Sequence, residues 1–206
     1  MGAQSLFCTL EMELLPPRIL EPLSLREIFP TDRLIEVDLG SGPGKFLVES
    51  ALKFSDRNFL GIERLLGRVR KTCRVASEIG LPNLRVLRLE LDYTVRYLLP
   101  ENSVWRFHLN FPDPWPKRRH QARRVVDSEF LEAINRSLID GGELRLKTDH
   151  EAYFEQITKI VVRSGLWSMM EWADEDYPRT DFEEQFLRNE LPIYRLRLGK
   201  RTSDPQ

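Results

Sequence analysis

The chain lacks most of what would tie it to an unusual environment. It has two cysteines in 206 residues, Cys8 and Cys73, far apart and without ligand spacing. Neither a disulfide framework nor a structural metal is expected, and the reading is no metal at all. No apolar run approaches the roughly 20 residues that span a bilayer, so no membrane association is expected. The N-terminus has no basic segment leading into an apolar stretch and a cleavage site. A cytoplasmic protein, monomer or homodimer, is the expectation. Internal repeats and low-complexity segments are missing. Net charge is only -1, so the total gives no sign of a nucleic-acid partner.

What is there is ordinary in amount and uneven in arrangement. Hydrophobic residues make up 41% and charged residues 31%, enough for one domain with a substantial core. Lys117 to Arg124 places five fixed positive charges in eight residues. Arg195, Arg197, Lys200 and Arg201 form a second basic cluster, and the stretch from Glu171 to Glu184 is acidic. A charge run is most often a solvated face. On a nearly neutral chain a basic run also offers a local site for phosphates.

Punctuation and periodicity predict an N-terminal arm over 1–30, marked by Pro16, Pro17, Pro22 and Pro30 with a short helix near Ser24 to Ile28. One domain over 31–200 and a tail over 201–206 follow. Strands are expected at 33–39, 58–63, 84–89, 104–110 and 143–147, alternating with helices at 44–54, 65–79, 127–138 and 151–163. A late pair of strands near 166–172 and 192–198 flanks a helical stretch at 183–188. The alternation predicts an α/β, Rossmann-like fold with a mostly parallel seven-stranded sheet and helices on both faces. Ligands in such sheets bind beyond the carboxyl ends of the strands, where all the candidate residues fall.

Asp38-Leu-Gly-Ser-Gly-Pro-Gly44 follows the first strand. Its glycines, Gly40, Gly42 and Gly44, spell G-x-G-x-G and not the dinucleotide spacing. Glu63 ends the second strand, where a carboxylate accepts hydrogen bonds from ribose hydroxyls or caps the next helix. Asp38 suits the cationic amino end of a methionine moiety. Asp92 either meets an adenine amino group or caps a helix at 95–98, with Glu90 as the alternative. Together these features resemble the class I methyltransferase pattern and imply S-adenosyl-L-methionine as cofactor.

Asn110-Phe-Pro-Asp-Pro-Trp-Pro-Lys-Arg-Arg-His120 follows the fourth strand. Three prolines in five residues fix its backbone, and Asp113 is held between two of them. Trp115 either packs under the loop or stacks on a base. Residues 111–124, together with Lys147-Thr-Asp149 and Thr180-Asp-Phe-Glu183, resemble the bacterial transfer RNA (guanine-N7)-methyltransferases over about 34–198.

The resemblance implies Asp38, Gly40, Gly42, Gly44, Glu63, Asp92 and Asn110 at the cofactor, and Asp113 as the catalytic acid. It places Lys117, Asp149, Thr180, Phe182 and Glu183 at the substrate nucleotide. Arg118, Arg119, His120, Arg123 and Arg124 are expected on the RNA backbone. The substrate implied is a guanine in the variable loop of transfer RNA. Asp38 departs from the family, which usually has Glu there. Guanine N7 is an unprotonated acceptor, so its methylation needs positioning and carboxylates near the developing cation, not a general base. His108, in a strand, is expected to be structural. The alternatives are a methyltransferase of another RNA and a non-catalytic RNA-binding subunit.

Overall fold

The computed structural model describes residues 12–15, 20–173 and 177–201. Half of the predicted arm, with Cys8, Pro16 and Pro17, the middle of the acidic stretch and residues 202–206 of the tail lie outside the described residues. The chain divides into two compact units, Met1–Pro100 and Glu101–Gln206.

The first unit contains β1 (Glu13–Leu14), α1 (Leu25–Ile28), β2 (Ile35–Leu39), α2 (Lys45–Lys53), β3 (Asn58–Ile62), α3 (Leu66–Ile79), β4 (Leu84–Leu87) and a short α4 (Leu91–Tyr93) that widens into a π-helical turn, Thr94–Leu98. Its strands run parallel in the order β1-β4-β3-β2. Every residue of β2 and β3 is buried, which requires cover on both faces. Glu36 takes Arg57 at 2.8 Å, and Asn58 donates to the Thr31 carbonyl at 2.8 Å.

Val69, Thr72, Cys73 and Ala76 recur at helical spacing and are the buried stripe of α3. They pack with Leu47, Val48 and Ala51 of α2 and with Phe59, Leu84 and Val86 of the sheet. Burial first, and then Glu13, push the Cys73 thiol up to about 11, so it stays protonated and inert. The helix stops where its glycine allows. Gly80 adopts a left-handed φ of 78° and returns its N–H to Ala76 and Ser77.

The second unit contains β5 (Val104–Asn110), a 3-10 turn (Arg118–Arg123), α5 (Ser128–Ser137), β6 (Leu138–Thr148), α6 (Glu151–Ser164), β7 (Trp167–Met170), α7 (Asp181–Arg188) and β8 (Tyr194–Lys200). Its strand order is β5-β6-β8-β7, with β5 and β6 parallel and the β6–β8 and β8–β7 pairings antiparallel. Eight strands are present among the described residues against the seven expected. The extra one is β1, in the predicted arm, where Glu13 also pairs Arg88 at 2.9 Å.

The Asp140-Gly-Gly142 sequence does not end a helix as expected. Helix α5 stops at Ser137 and β6 runs through the glycines, with a register shift opposite Val104 and Arg106. A Cβ on Gly142 would stand 2.9 Å from the Trp105 carbonyl, so the bulge needs glycine there.

Alternation along β5, β6 and β8 separates two faces. Phe107, Leu109, Leu144, Leu146, Leu196 and Leu198 register on one of them. Arg106 and His108 register with Glu143 and Arg145 on the other, and Lys147 and Arg145 register with Arg195 and Arg197. The second face is charged and yet largely buried.

Candidate functional site

In the first unit the turn after β2 is built for close approach to its backbone. Gly40, Gly42 and Gly44 have φ of 74°, 56° and 85°, a region where side chains are strained. Both Gly40 and Ser41 donate to the Ile62 carbonyl at 3.0 Å, so the turn is pinned to β3. The glycines differ in purpose. A Cβ on Gly44 would lie 2.1 Å from Thr72 Oγ1, whereas one on Gly40 would meet nothing within 4 Å. Gly44 lets the turn press on α3, and Gly40 leaves an open side.

Asp38 and Glu63 stand beside this turn at 4% and 6% exposure. One Glu63 oxygen accepts the Leu65 N–H at 2.8 Å, and the other lies 3.5 Å from Arg68. Glu63 thus meets the next helix as the alternative reading had it, but as a buried acid. Ser41 Oγ is buried without a hydrogen-bond partner. An orphaned hydroxyl, an open glycine and two buried carboxylates fit a ligand with an amino group and ribose hydroxyls. Ser41 escaped the sequence reading, although its place between two glycines was the available signal.

The helix-cap reading of Asp92 does not hold. Glu90 is the helix cap, accepting the Asp92 N–H at 2.7 Å, and Asp92 pairs with Arg96 at 2.7 Å. The helix begins at Leu91, not Val95.

In the second unit three separated motifs converge. Asn110 ends β5 with its Nδ2 buried and unpartnered. Phe111 follows in a left-handed conformation, φ 53°, and its N–H donates to the Lys147 carbonyl at 2.8 Å. Its ring meets Phe186 at 5.2 Å and Phe182 at 6.4 Å. Lys147 places its ammonium on both Glu183 oxygens, at 2.8 and 2.7 Å, and Arg195 approaches the same carboxylate at 3.5 Å. Burial lowers the Lys147 pKa below its ordinary value, and Glu183 partly offsets it.

Thr180-Asp-Phe-Glu183 is half of a capping box. Thr180 Oγ1 accepts the Glu183 N–H at 3.0 Å and starts α7. Two residues expected at the substrate, Thr180 and Glu183, therefore spend polar atoms on architecture. Phe182, at 58% exposure, remains open. Asp149 follows β6 half-buried, and Asp113 is exposed.

The basic run also divides. Lys117, Arg118, Arg119 and Arg123 are exposed, and His120 is half-buried. Arg123 lies over the Trp115 ring at 5.1 Å and His120 meets it edge-on at 5.9 Å, so Trp115 packs with this turn. Arg124 departs from the expectation. It is buried, at 8% exposure. Its Nε donates to the Pro114 carbonyl at 2.7 Å, its Nη1 bonds Gln156, and its guanidinium covers the Tyr153 ring at 4.7 Å. Arg124 thus anchors the residue after Asp113. Trp115, like Phe111, has a positive φ, 40°. A loop with two such residues persists only when its surroundings fix it.

The C-terminal basic cluster is largely partnered within the chain, with Arg195, Arg197 and Lys200 half-buried and Arg201 exposed. Glu143 takes Arg106, Arg145 and Arg197, the last two at 2.8 and 2.6 Å. Burial raises the Glu143 carboxyl, but the Arg197 hydrogen bond and then Arg106 and Arg145 outweigh it and hold it below its ordinary value. Lys200 donates to Asn102 and the Leu138 carbonyl, and Arg201 to the Gly165 carbonyl. His108 is structural as expected, buried against Tyr177 at 4.9 Å. Among the described residues no helix is long and apolar enough to cross a membrane, and no cluster of metal-ligating side chains occurs.

The fold agrees with solved methyltransferases. A 16S ribosomal RNA methyltransferase, KamB, superposes with a TM-score of 0.65 at 15% identity, covering 91% of this chain and 99% of that one. An antibiotic-related methyltransferase gives 0.65 at 13%, covering 93% and 98%. A family profile described as putative methyltransferase matches residues 32–196. The family profile, on this fold and glycine turn, makes the chain a Rossmann-like, class I, S-adenosyl-L-methionine-dependent methyltransferase. A Geobacillus relative named tRNA (guanine-N(7)-)-methyltransferase is 34% identical over 82% of this chain and 79% of its own length. One of the same name from Streptococcus equi subsp. zooepidemicus is 32% identical over 86% and 89%. The chain belongs to the tRNA (guanine-N7)-methyltransferase family.

Proposed function

We infer that this protein forms 7-methylguanosine in transfer RNA, at the variable-loop guanine numbered 46 in transfer RNA, and that residues 31–200 act as one catalytic domain in the cytoplasm. The observation that carries this reading is the joining of the three motifs in the second unit. The Phe111 N–H reaches Lys147, Lys147 reaches Glu183, and Thr180 caps the helix that presents Phe182.

S-adenosyl-L-methionine supplies an electrophilic methyl group on a sulfonium. Asp38, Glu63, Ser41 and the Gly40 turn would hold it. Guanine N7 already carries a lone pair, so the chain need not remove a proton before transfer. Its task is to orient the purine and balance the positive charge that develops on it. Asp113 and Asp149 are the carboxylates left for that work, because Glu183 already serves Lys147 and Arg195. Lys117, Arg118, Arg119, His120 and Arg123 would hold phosphates.

Mass spectrometry of nucleosides from an unmodified transfer RNA transcript, after incubation with enzyme and cofactor, tests the reading. It expects 7-methylguanosine; a product methylated at another atom, or none, overturns it. Asp113→Ala should lower turnover by about 100-fold or more, with little change in RNA affinity. Near-normal turnover would remove Asp113 from the chemistry.

A further inference from the structure

Helix α3 carries a charge pattern that neither the fold nor the motifs explain. Arg64, Arg68, Arg70, Lys71 and Arg74 supply five cations in eleven residues, and no acid occurs from Arg64 to Ser77. The whole chain is balanced, with 31 basic and 32 acidic residues, so such a stretch is not a product of composition. All five are exposed, while Val69, Thr72, Cys73 and Ala76 face the core. On the helix Arg68 and Lys71 are spaced by three residues and Arg70 and Arg74 by four, so neighbouring turns present like charges, and Arg64 stands just before the helix start. Only Arg68 has an ion-pair partner among the described residues, Glu63 at 3.5 Å.

This arrangement works against the helix. Like charges one turn apart destabilise it, and cations near an N-terminus oppose the macrodipole. Helices α5, α6 and α7 follow the opposite rule, with acids in the first turn and a base in the last. In α3 the first turn holds no acid. A face kept only for solubility would interleave acids. A face without them suits a polyanion whose charges lie along a ridge.

We propose that the exposed basic side of α3, with Arg64 just before the helix and Arg68, Arg70, Lys71 and Arg74 on it, is a second RNA-binding surface that holds the sugar-phosphate backbone of the transfer RNA. The proposal rests on the substrate inferred above for its choice of polyanion. Ion pairs of this kind add affinity without sequence information and weaken with salt.

The test measures binding of the full-length protein to an unmodified transfer RNA transcript across a salt series. The variant Arg70→Gln/Lys71→Gln/Arg74→Gln leaves the Glu63 side of the helix intact. Its plot of log affinity against log salt should be shallower by about 2 to 3, near one for each phosphate that the helix no longer neutralises. S-adenosyl-L-methionine binding should not change. Arg70→Lys/Arg74→Lys should keep the wild-type slope, and Arg74→Gln alone should lower it by about one; this pair decides the matter if the triple variant does not fold. An unchanged slope in the glutamine variants overturns the proposal and leaves an acidic protein as the occupant to seek. The enzyme reading is judged separately. A wild-type protein that makes no 7-methylguanosine but loses slope on substitution fails the function and keeps the surface. One that methylates normally with a slope indifferent to these residues does the reverse.

Discussion

Two groups of basic residues show how one side chain serves opposite purposes. Arg106, Arg145, Arg195 and Arg197 project from β5, β6 and β8 onto a covered sheet face and are neutralised by Glu143 and Glu183. Arg118, Arg119 and Arg123, in the 3-10 turn after the proline loop, are exposed. The difference is desolvation. A buried guanidinium is tolerable only against an anion in good geometry, so the first group is locked to its partners. The second keeps its hydration and is free to exchange it for a phosphate. Arg124 sits at the boundary, one residue beyond the exposed turn and already buried.

Removing the anion from the first group should have the largest effect on stability. Glu143→Gln leaves three guanidiniums without their shared carboxylate and should destabilise the protein by about 3–5 kcal/mol, read from urea unfolding. The pH dependence has a definite sign. The folded carboxyl titrates below its ordinary value of 4.5, so the native state binds fewer protons than the unfolded chain in that range. The stabilisation is complete above pH 4.5 and is lost as pH falls through the lower folded value. The variant should lose that part of the acid sensitivity; an identical acid profile would break the comparison.

Arg124→Ala comes next. It leaves the Pro114 carbonyl and Gln156 without their donor and should destabilise by about 1–3 kcal/mol. Turnover should fall through displacement of the Asp113 loop while the salt slope of RNA binding stays as in wild type. A shallower slope would return Arg124 to the phosphate group. Arg118→Ala/Arg119→Ala should do the opposite: unfolding within about 0.5 kcal/mol of wild type and a salt slope shallower by about 2.

Much of the fold was legible because burial leaves a periodic mark. β5 was expected at 104–110 and occurs there, and α3 and its glycine stop lie within a residue of expectation. The errors share a cause. Asp140-Gly-Gly142 reads locally as a turn, and only pairing with β5 makes it a bulged strand. Arg195 and Arg197 read as a basic surface because the acids that neutralise them lie far away in the sequence. Asp113, Lys147 and Glu183 were legible as motif members, but the cap at Thr180 and the ion pair on Glu183 were not separable from substrate binding. The cations of α3 were in plain view, and their significance lay in the acids missing between them.

By itself the sequence determined the strand-helix alternation, the left-handed glycine turn and the carboxylates beside it, because hydrophobic spacing and backbone permissiveness act within a few residues. Tertiary structure alone decided which charges are spent inside the protein and which face water. That outcome depends on partners brought from distant segments and on how much solvent each group gives up, and neither is written in any local stretch of chain.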